Sequence, residues 1–410
     1  MVNEESLKFL FQQEFSKMVA VISKLYGLQH IEIAEDIVSE TFLQATETWG
    51  VKGTPENPAA WLYAVAKQKT LYHFRRNKIF ETKVVPEIVR NHEPDHADAE
   101  PDFSLQNIRD SQLQMIFAIC NPNIASEAQI GLALRILCGF GIDEIAEAFL
   151  SNKEAINKRL FRAKEKLRVE RIKMEVLPES DITSRLENVL RVIYLLFNEG
   201  YYSKTQNQIL RKDLCFEAIR LGHMLAEYDR TNLPETNALM ALMCFHASRF
   251  DARLTEEDSL VLYEEQNETL WDEALIKQGM HYLSLSAQGE KFSAYHLEAR
   301  IAYWHCIKKD TPEKWLEILQ LYDQLLLVNY SPIVALNRVY AMYKVNGARI
   351  ALNEAENLGM EGNHFYHVLL GELYKQVDVK KARSNLEKAY SFAKTKAEKQ
   401  TIRSKIQGLG

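Results

Sequence analysis

A chain of 410 residues exceeds the usual size of one domain and predicts two or three. Its composition, 47% apolar and 26% charged, excludes a disordered or membrane-embedded chain, and 16 Gly with 10 Pro are too few for sandwich, barrel or low-complexity architectures. The net charge of −6 excludes a general attraction to phosphate, so any nucleic-acid surface has to come from segregated charge. Hydrophobic spacing is helical nearly throughout, which predicts an all-α fold. Cys120, Cys138, Cys215, Cys244 and Cys306 stand far apart with no Cys-x-x-Cys pair. Neither a disulfide framework nor a zinc ribbon is therefore predicted, and no metal or cofactor is expected. The acidic N-terminal stretch and the lack of a long apolar run predict a cytoplasmic chain with no membrane partner.

Residues 31–49 read as a helix with Ile33, Ile37, Thr41 and Ala45 on one stripe and Val38, Phe42 and Trp49 beside it, facing a core. The opposite stripe is Asp36, Glu40, Leu43 and Glu47, an acidic ridge with a single leucine in it. Residues 31–50 contain five acids and no Lys or Arg. Such a ridge suits docking on a basic partner, because charge steers and one desolvated leucine anchors.

Asn57-Pro58 is a cap followed by a first-turn proline and predicts the start of the next helix. Residues 61–80 carry Lys67, Lys69, Arg75, Arg76 and Lys78 without an acid, interleaved with Trp61, Tyr63, Tyr72, Phe74 and Phe80. Rings among cations are what an unstacked single strand needs, the rings taking bases and the cations tracking phosphates. From 81 to 110 the character inverts: eight acids stand against three bases, with Pro86, Pro94 and Pro101, which predicts a solvated linker.

A helix near 144–149, a turn at 150–152 and a longer helix from Lys153 have helix-turn-helix spacing. Ile156, Leu160, Ala163 and Leu167 form the buried stripe of the second helix. Residues 151–173 hold nine bases and three acids, a local excess within an acidic chain. Lys153, Asn157, Lys158, Arg159, Arg162 and Lys166 lie off the buried stripe, within reach of phosphates and base edges in a major groove. A second punctuation at 178–183 precedes an apolar run closed by Asn198 and Glu199 before Gly200. Further on, Leu336, Val339, Tyr340, Ala348, Leu352 and Ala355 recur 34 residues later as Leu370, Leu373, Tyr374, Ala382, Leu386 and Ala389. That is the tetratricopeptide period of stacked helical pairs. Predicted boundaries are thus 1–82, 83–110, 111–178 and 179–410.

Three blocks in this order, AEDIVSETFLQA, PAAWLYAVAKQKTLYHFRR and EIAEAFLSNKEAINKRLFRAKEKLR, resemble the core-binding helix, the promoter-melting helix and the promoter-reading helix-turn-helix of extracytoplasmic-function sigma factors. The remainder, in LRVIYLLFNEGY, DLCFEAIRL, LWDEALIKQG and SPIVALNRVYA, is similar to the tetratricopeptide-like extension of one sigma subgroup. The resemblance implies two small helical sigma domains followed by a helical-repeat domain. It implies docking on bacterial core RNA polymerase through Asp36, Glu40, Leu43 and Glu47. It further implies capture of melted promoter DNA near minus 10 by Trp61, Lys67, Lys69, Tyr72, Arg75 and Arg76, and duplex reading near minus 35 by Lys153 to Lys166. The chain departs from the family pattern at Lys67-Gln68 and at Tyr72, where an Arg-Asn pair and an aspartate are usual. The extension is expected to regulate in cis, with Asn198 and Glu199 between domains and a peptide or protein ligand in its groove. The alternative is a helical-repeat scaffold tethered to DNA by its helix-turn-helix, without polymerase. No nucleophile elbow, P-loop or dinucleotide fingerprint is present, and the pairs His92/His96 and His364/His367 have no third ligand, so no enzyme is expected.

Overall fold

The computed structural model describes residues 4–84, 99–149, 151–175, 178–201, 210–253, 261, 263–289, 292–393 and 396–409. Among these it is all-α, with no strand. The chain divides into two compact units, Met1–Leu195 and Leu196–Gly410.

In the first unit α1 (Glu4–Tyr26) is a core helix that buries Phe15, Met18, Val19 and Ile22. A short 3-10 turn leads to α2 (Ile31–Lys52), which ends where Gly53, at φ 82°, returns its N–H to the Trp49 carbonyl at 3.0 Å. That left-handed residue needs a glycine. The next helix, α3 (Pro58–Val84), starts on the Asn57 side chain, which accepts the Ala60 N–H at 3.0 Å. Residues 85–98, including His92 and His96, lie outside the described residues. The stretch read as linker, 83–110, is helical at its end: α4 (Leu105–Ile119) begins at the Ser104 cap, because Ile108 and the apolar run after it bury against α1. Gln112 Nε2 donates to Ser16 Oγ across that contact at 3.2 Å.

The α5 helix (Ser126–Leu132) runs into a π turn over Ala133–Leu137, then come α6 (Ile142–Ala148) and α7 (Lys153–Val169). Asn152 caps α7 by accepting the Ala155 N–H at 2.7 Å, and Ile156, Leu160, Ala163 and Leu167 are buried. The next helix, α8 (Glu179–Tyr201), starts just past the expected boundary at 178 and runs through the point at which the two units divide. Its first half belongs to the first unit: Leu186, Val189, Leu190 and Ile193 are buried, and Asn188 Nδ2 donates to the Cys120 carbonyl at 2.5 Å and to Gln129 Oε1 at 3.2 Å. Replacing Asn188 by alanine strands that carbonyl and should cost about 1–2 kcal/mol of stability, read by urea denaturation. An unchanged midpoint would remove α8 from this core.

The second unit is a run of helices: α9 (Lys212–Ala226), α10 (Pro234–Ala247), α11 (Glu273–Ser286), α12 (Ala294–His305), α13 (Pro312–Val328), α14 (Pro332–Asn346), α15 (Ala348–Asn357), α16 (His364–Tyr374), α17 (Val379–Phe392) and α18 (Lys396–Gln407). Proline opens α10, α13 and α14, where a missing N–H is harmless. The α10 helix is apolar all round and buried from Thr236 to Phe245, packed against α9, α11 and α12. Gly279 of α11 admits the Phe245 ring, whose nearest atom would lie 2.7 Å from an added Cβ. The positions spaced by 34 residues fall on α14 to α17. Leu336, Val339, Leu352 and Ala355 share one buried cluster with Leu370, Leu373 and Ala382, and Leu386 and Ala389 are buried in the next. No helix of the described residues is long and apolar enough to cross a membrane.

Candidate functional site

The α2 helix turns two faces to different surroundings. Ala34, Ile37, Val38, Thr41, Phe42, Ala45 and Trp49 are buried, while Asp36, Glu40, Leu43 and Glu47 are all exposed. Leu43 keeps 65% of its surface in solvent, with carboxylates one turn away on either side. Glu40 Oε2 meets Lys69 Nζ of α3 at 3.3 Å, an exposed pair worth little by itself.

The α3 helix sorts its rings. Phe74 is core, stacked on Tyr26 with centroids 3.6 Å apart, and Trp61 is half-buried edge-on to Trp49. Tyr63 stacks on Phe103 at 5.0 Å and donates to Glu14. Burial, with that carboxylate beside it, raises the Tyr63 phenol above its ordinary range. Tyr72 alone of the described rings on α3 stands out, 66% exposed, with Arg75 and Arg76 exposed further along. Lys67 faces Glu100 at 2.6 Å, and the ammonium holds that carboxyl below its usual range. Four of the aromatic positions predicted to serve a strand thus resolve into a core ring, two packed rings and one exposed ring. The side chains of Lys78 and Phe80 lie outside the described residues.

On α7 the acids discriminate among the cations. Lys153 pairs with Asp143 at 3.0 Å, Arg159 with Glu127 at 3.3 Å while lying over the Phe149 ring, and Lys166 with Glu170 at 3.7 Å. Asn157, Lys158 and Arg162 are exposed, and among the described residues Lys158 and Arg162 have no carboxylate partner. Phe161, 60% exposed between them, is an apolar contact that sequence reasoning passed over.

Glu35 was also missed. It is buried, and its carboxylate takes Arg135 Nε at 2.8 Å and Lys164 Nζ of α7. Arg135 also donates to the Phe140 carbonyl at 3.1 Å and covers the Phe15 ring. The signal lay in spacing: Ile31, Glu35, Val38, Phe42, Ala45 and Trp49 form one row, and an acid in an otherwise apolar row demands a buried cation. The segments 1–82 and 111–178 therefore meet through a shared carboxylate. Among the described residues no group of three His, Cys, Asp or Glu could hold a metal ion. Asn198 and Glu199 are half-buried on the last turn of α8, in the second unit.

Comparison with known proteins bears on both units. Residues 10–79 match the model of sigma-70 region 2, which covers α2 and most of α3. Residues 185–287 match a family of unknown function (DUF6596). An uncharacterized protein of Rhizobium meliloti (strain 1021) is 33% identical over 387 residues, 93% of this chain and 91% of that protein. No solved structure matches.

Proposed function

We propose that the chain, which matches sigma-70 region 2 over residues 10–79 and belongs to one family with the Rhizobium protein, is a sigma-70-family factor that binds bacterial core RNA polymerase and directs it to promoter DNA. The observation that carries this reading is the α2 ridge within the matched segment, where Leu43 stands exposed among Asp36, Glu40 and Glu47. A leucine there is an anchor awaiting desolvation, and the carboxylates steer it to a basic partner. On α3, Tyr72 and the flank of Trp61 take unstacked bases near minus 10 while Lys67, Lys69, Arg75 and Arg76 follow the backbone. On α7, Asn157, Lys158 and Arg162 meet the duplex near minus 35, with Lys153, Arg159 and Lys166 beside them. Two weak DNA contacts carried on one polymerase raise each other's effective concentration, so both elements are required. Catalysis belongs to the polymerase.

Adding the purified chain to core polymerase should yield run-off transcript from a cognate promoter, and its failure with active core would refute the reading. Lys158→Ala and Arg162→Ala should each weaken duplex binding and flatten the dependence on log salt by about one unit of slope. Arg159→Ala should do less, since Glu127 already holds that guanidinium. A slope unchanged in both of the first two variants would move the duplex contact off α7.

The extension from 179 onward is proposed as a tetratricopeptide-like regulatory domain that acts in cis and takes a peptide or protein helix, on the support of the 34-residue spacing and its buried positions. Asn198→Ala with Glu199→Ala in the full chain should change transcript yield by several-fold without lowering the melting temperature. A loss of stability with normal yield per folded molecule would reduce the pair to helix-end residues.

A further inference from the structure

The second unit gathers basic side chains around one phenol. The Tyr263 ring has Arg249 Cζ at 5.7 Å, Lys308 Nζ at 5.3 Å and Lys314 Nζ at 5.2 Å from its centroid. The three come from separate places: just past α10, just past α12 and the first turn of α13. Among the described residues none is paired with a carboxylate. Lys308 Nζ donates to the carbonyls of Tyr263, Glu264 and Gln266 at 2.9, 3.2 and 2.8 Å. Lys314 Nζ donates to the Tyr263 hydroxyl at 2.9 Å and to the Ile307 carbonyl at 2.5 Å. Arg249 Nε is enclosed and has no acceptor.

Burial makes this arrangement unusual. Arg249 is 6% exposed and Lys314 1%. The two acids at the edge are already taken, Glu264 by Tyr340 at 2.6 Å and Lys344 at 3.4 Å, and Asp310 by Lys344 at 2.9 Å and the Trp315 indole. Two more enclosed ring nitrogens, Trp271 Nε1 and His305 Nδ1, have no partner among the described residues. Their rings lie 6.5 and 5.0 Å from that of Tyr263. Burial holds the Lys314 ammonium down to about 8, opposed by the Asp310 carboxylate and assisted by Lys344, Arg249 and Lys308, and burial with Arg249 and Lys314 nearby holds the His305 imidazole down to about 3. A buried charge without a counterion is strongly unfavourable, and three like charges about one ring repel. Such a group is stable when negative charge arrives from elsewhere.

We propose that Arg249, Lys308 and Lys314 form a binding site for a small oxyanion carrying two or more negative charges, walled by Tyr263 and Trp271. Phosphate, a phosphate monoester and a dicarboxylate share the required chemistry: several acceptor oxygens for the guanidinium, the third Lys314 N–H and the indole N–H, with Lys308, whose three N–H groups are held by carbonyls, supplying charge. The site lies within the second unit and is independent of how the first unit reads DNA.

The full-length chain is titrated by calorimetry and followed by thermal melting with inorganic phosphate and, separately, with succinate, against chloride at matched ionic strength. At least one of the two should bind and raise the melting temperature, and their ratio separates a phosphate ligand from a carboxylate one. Neither doing so overturns the proposal. Arg249→Met and Lys308→Met should each weaken that binding at least tenfold, and undiminished binding in both would also overturn it. Without added anion, Arg249→Met should melt no lower than the wild type, because it removes a charge that has no carboxylate partner among the described residues. If a carboxylate of the chain itself neutralised Arg249, this variant would melt lower or fail to fold, and the proposal would fall.

Discussion

Leu43→Glu combined with Asp36→Arg is expected to abolish co-purification of the chain with core RNA polymerase while leaving its helical circular dichroism intact. Both side chains are exposed on α2 and opposite its buried stripe, so neither change disturbs the core. Losing a central anchor typically costs about 2 kcal/mol or more, roughly thirtyfold in affinity, and a reversed charge adds repulsion. The milder Leu43→Ala should show the thirtyfold loss alone. Retention of the double variant on polymerase at wild-type level would mean that this ridge is a solvated helix face and nothing more.

The second large effect concerns stability. Glu35→Gln should destabilise the first unit by about 3–5 kcal/mol, because it leaves Arg135 and Lys164 facing a neutral amide where the Glu35 side chain is 6% exposed. For a unit of this size that corresponds to a fall of about 10 °C in melting temperature. Replacing all three, Glu35→Met with Arg135→Met and Lys164→Met, should recover most of the loss, since apolar residues of similar volume substitute well for a buried ionic group. If Glu35→Gln melts with the wild type, the three charges are not excluding water.

Much of the helical architecture was legible because it rests on local rules. Asn57-Pro58 and Asn152 cap as their chemistry dictates, and the apolar stripes of α2 and α7 are buried where period 3.6 puts them, except that Ile33 at the start of α2 is half-buried. The ridge was equally legible, since Asp36, Glu40, Leu43 and Glu47 share a face by spacing alone. What could not be read was pairing across long separations. Glu35 and Lys164 are 129 residues apart, so the row that contains Glu35 showed only that a cation was needed. The rings of α3 looked equivalent in sequence, yet Tyr26 claims Phe74 and Phe103 claims Tyr63, which leaves Tyr72 outward. The boundary at 178 rested on a proline and a polar cluster, local signals that carry no information on the bond between Asn188 and the Cys120 carbonyl, 68 residues apart.

The carboxylate of Glu35 makes α2 a member of two surfaces at once, its outer face carrying the ridge and its inner face gripping α7. If docking on the ridge favours one placement of α7 over another, thermodynamic reciprocity requires that duplex DNA held by α7 change the affinity of the ridge by the same factor. A coupling of about 1–3 kcal/mol, typical of such linkages, would make polymerase bind some 5–150-fold more tightly in the presence of the correct duplex, or more weakly by the same factor, with the sign set by which placement each ligand prefers. Removing the grip by the triple methionine exchange should bring that factor towards one, so that the two ligands bind independently.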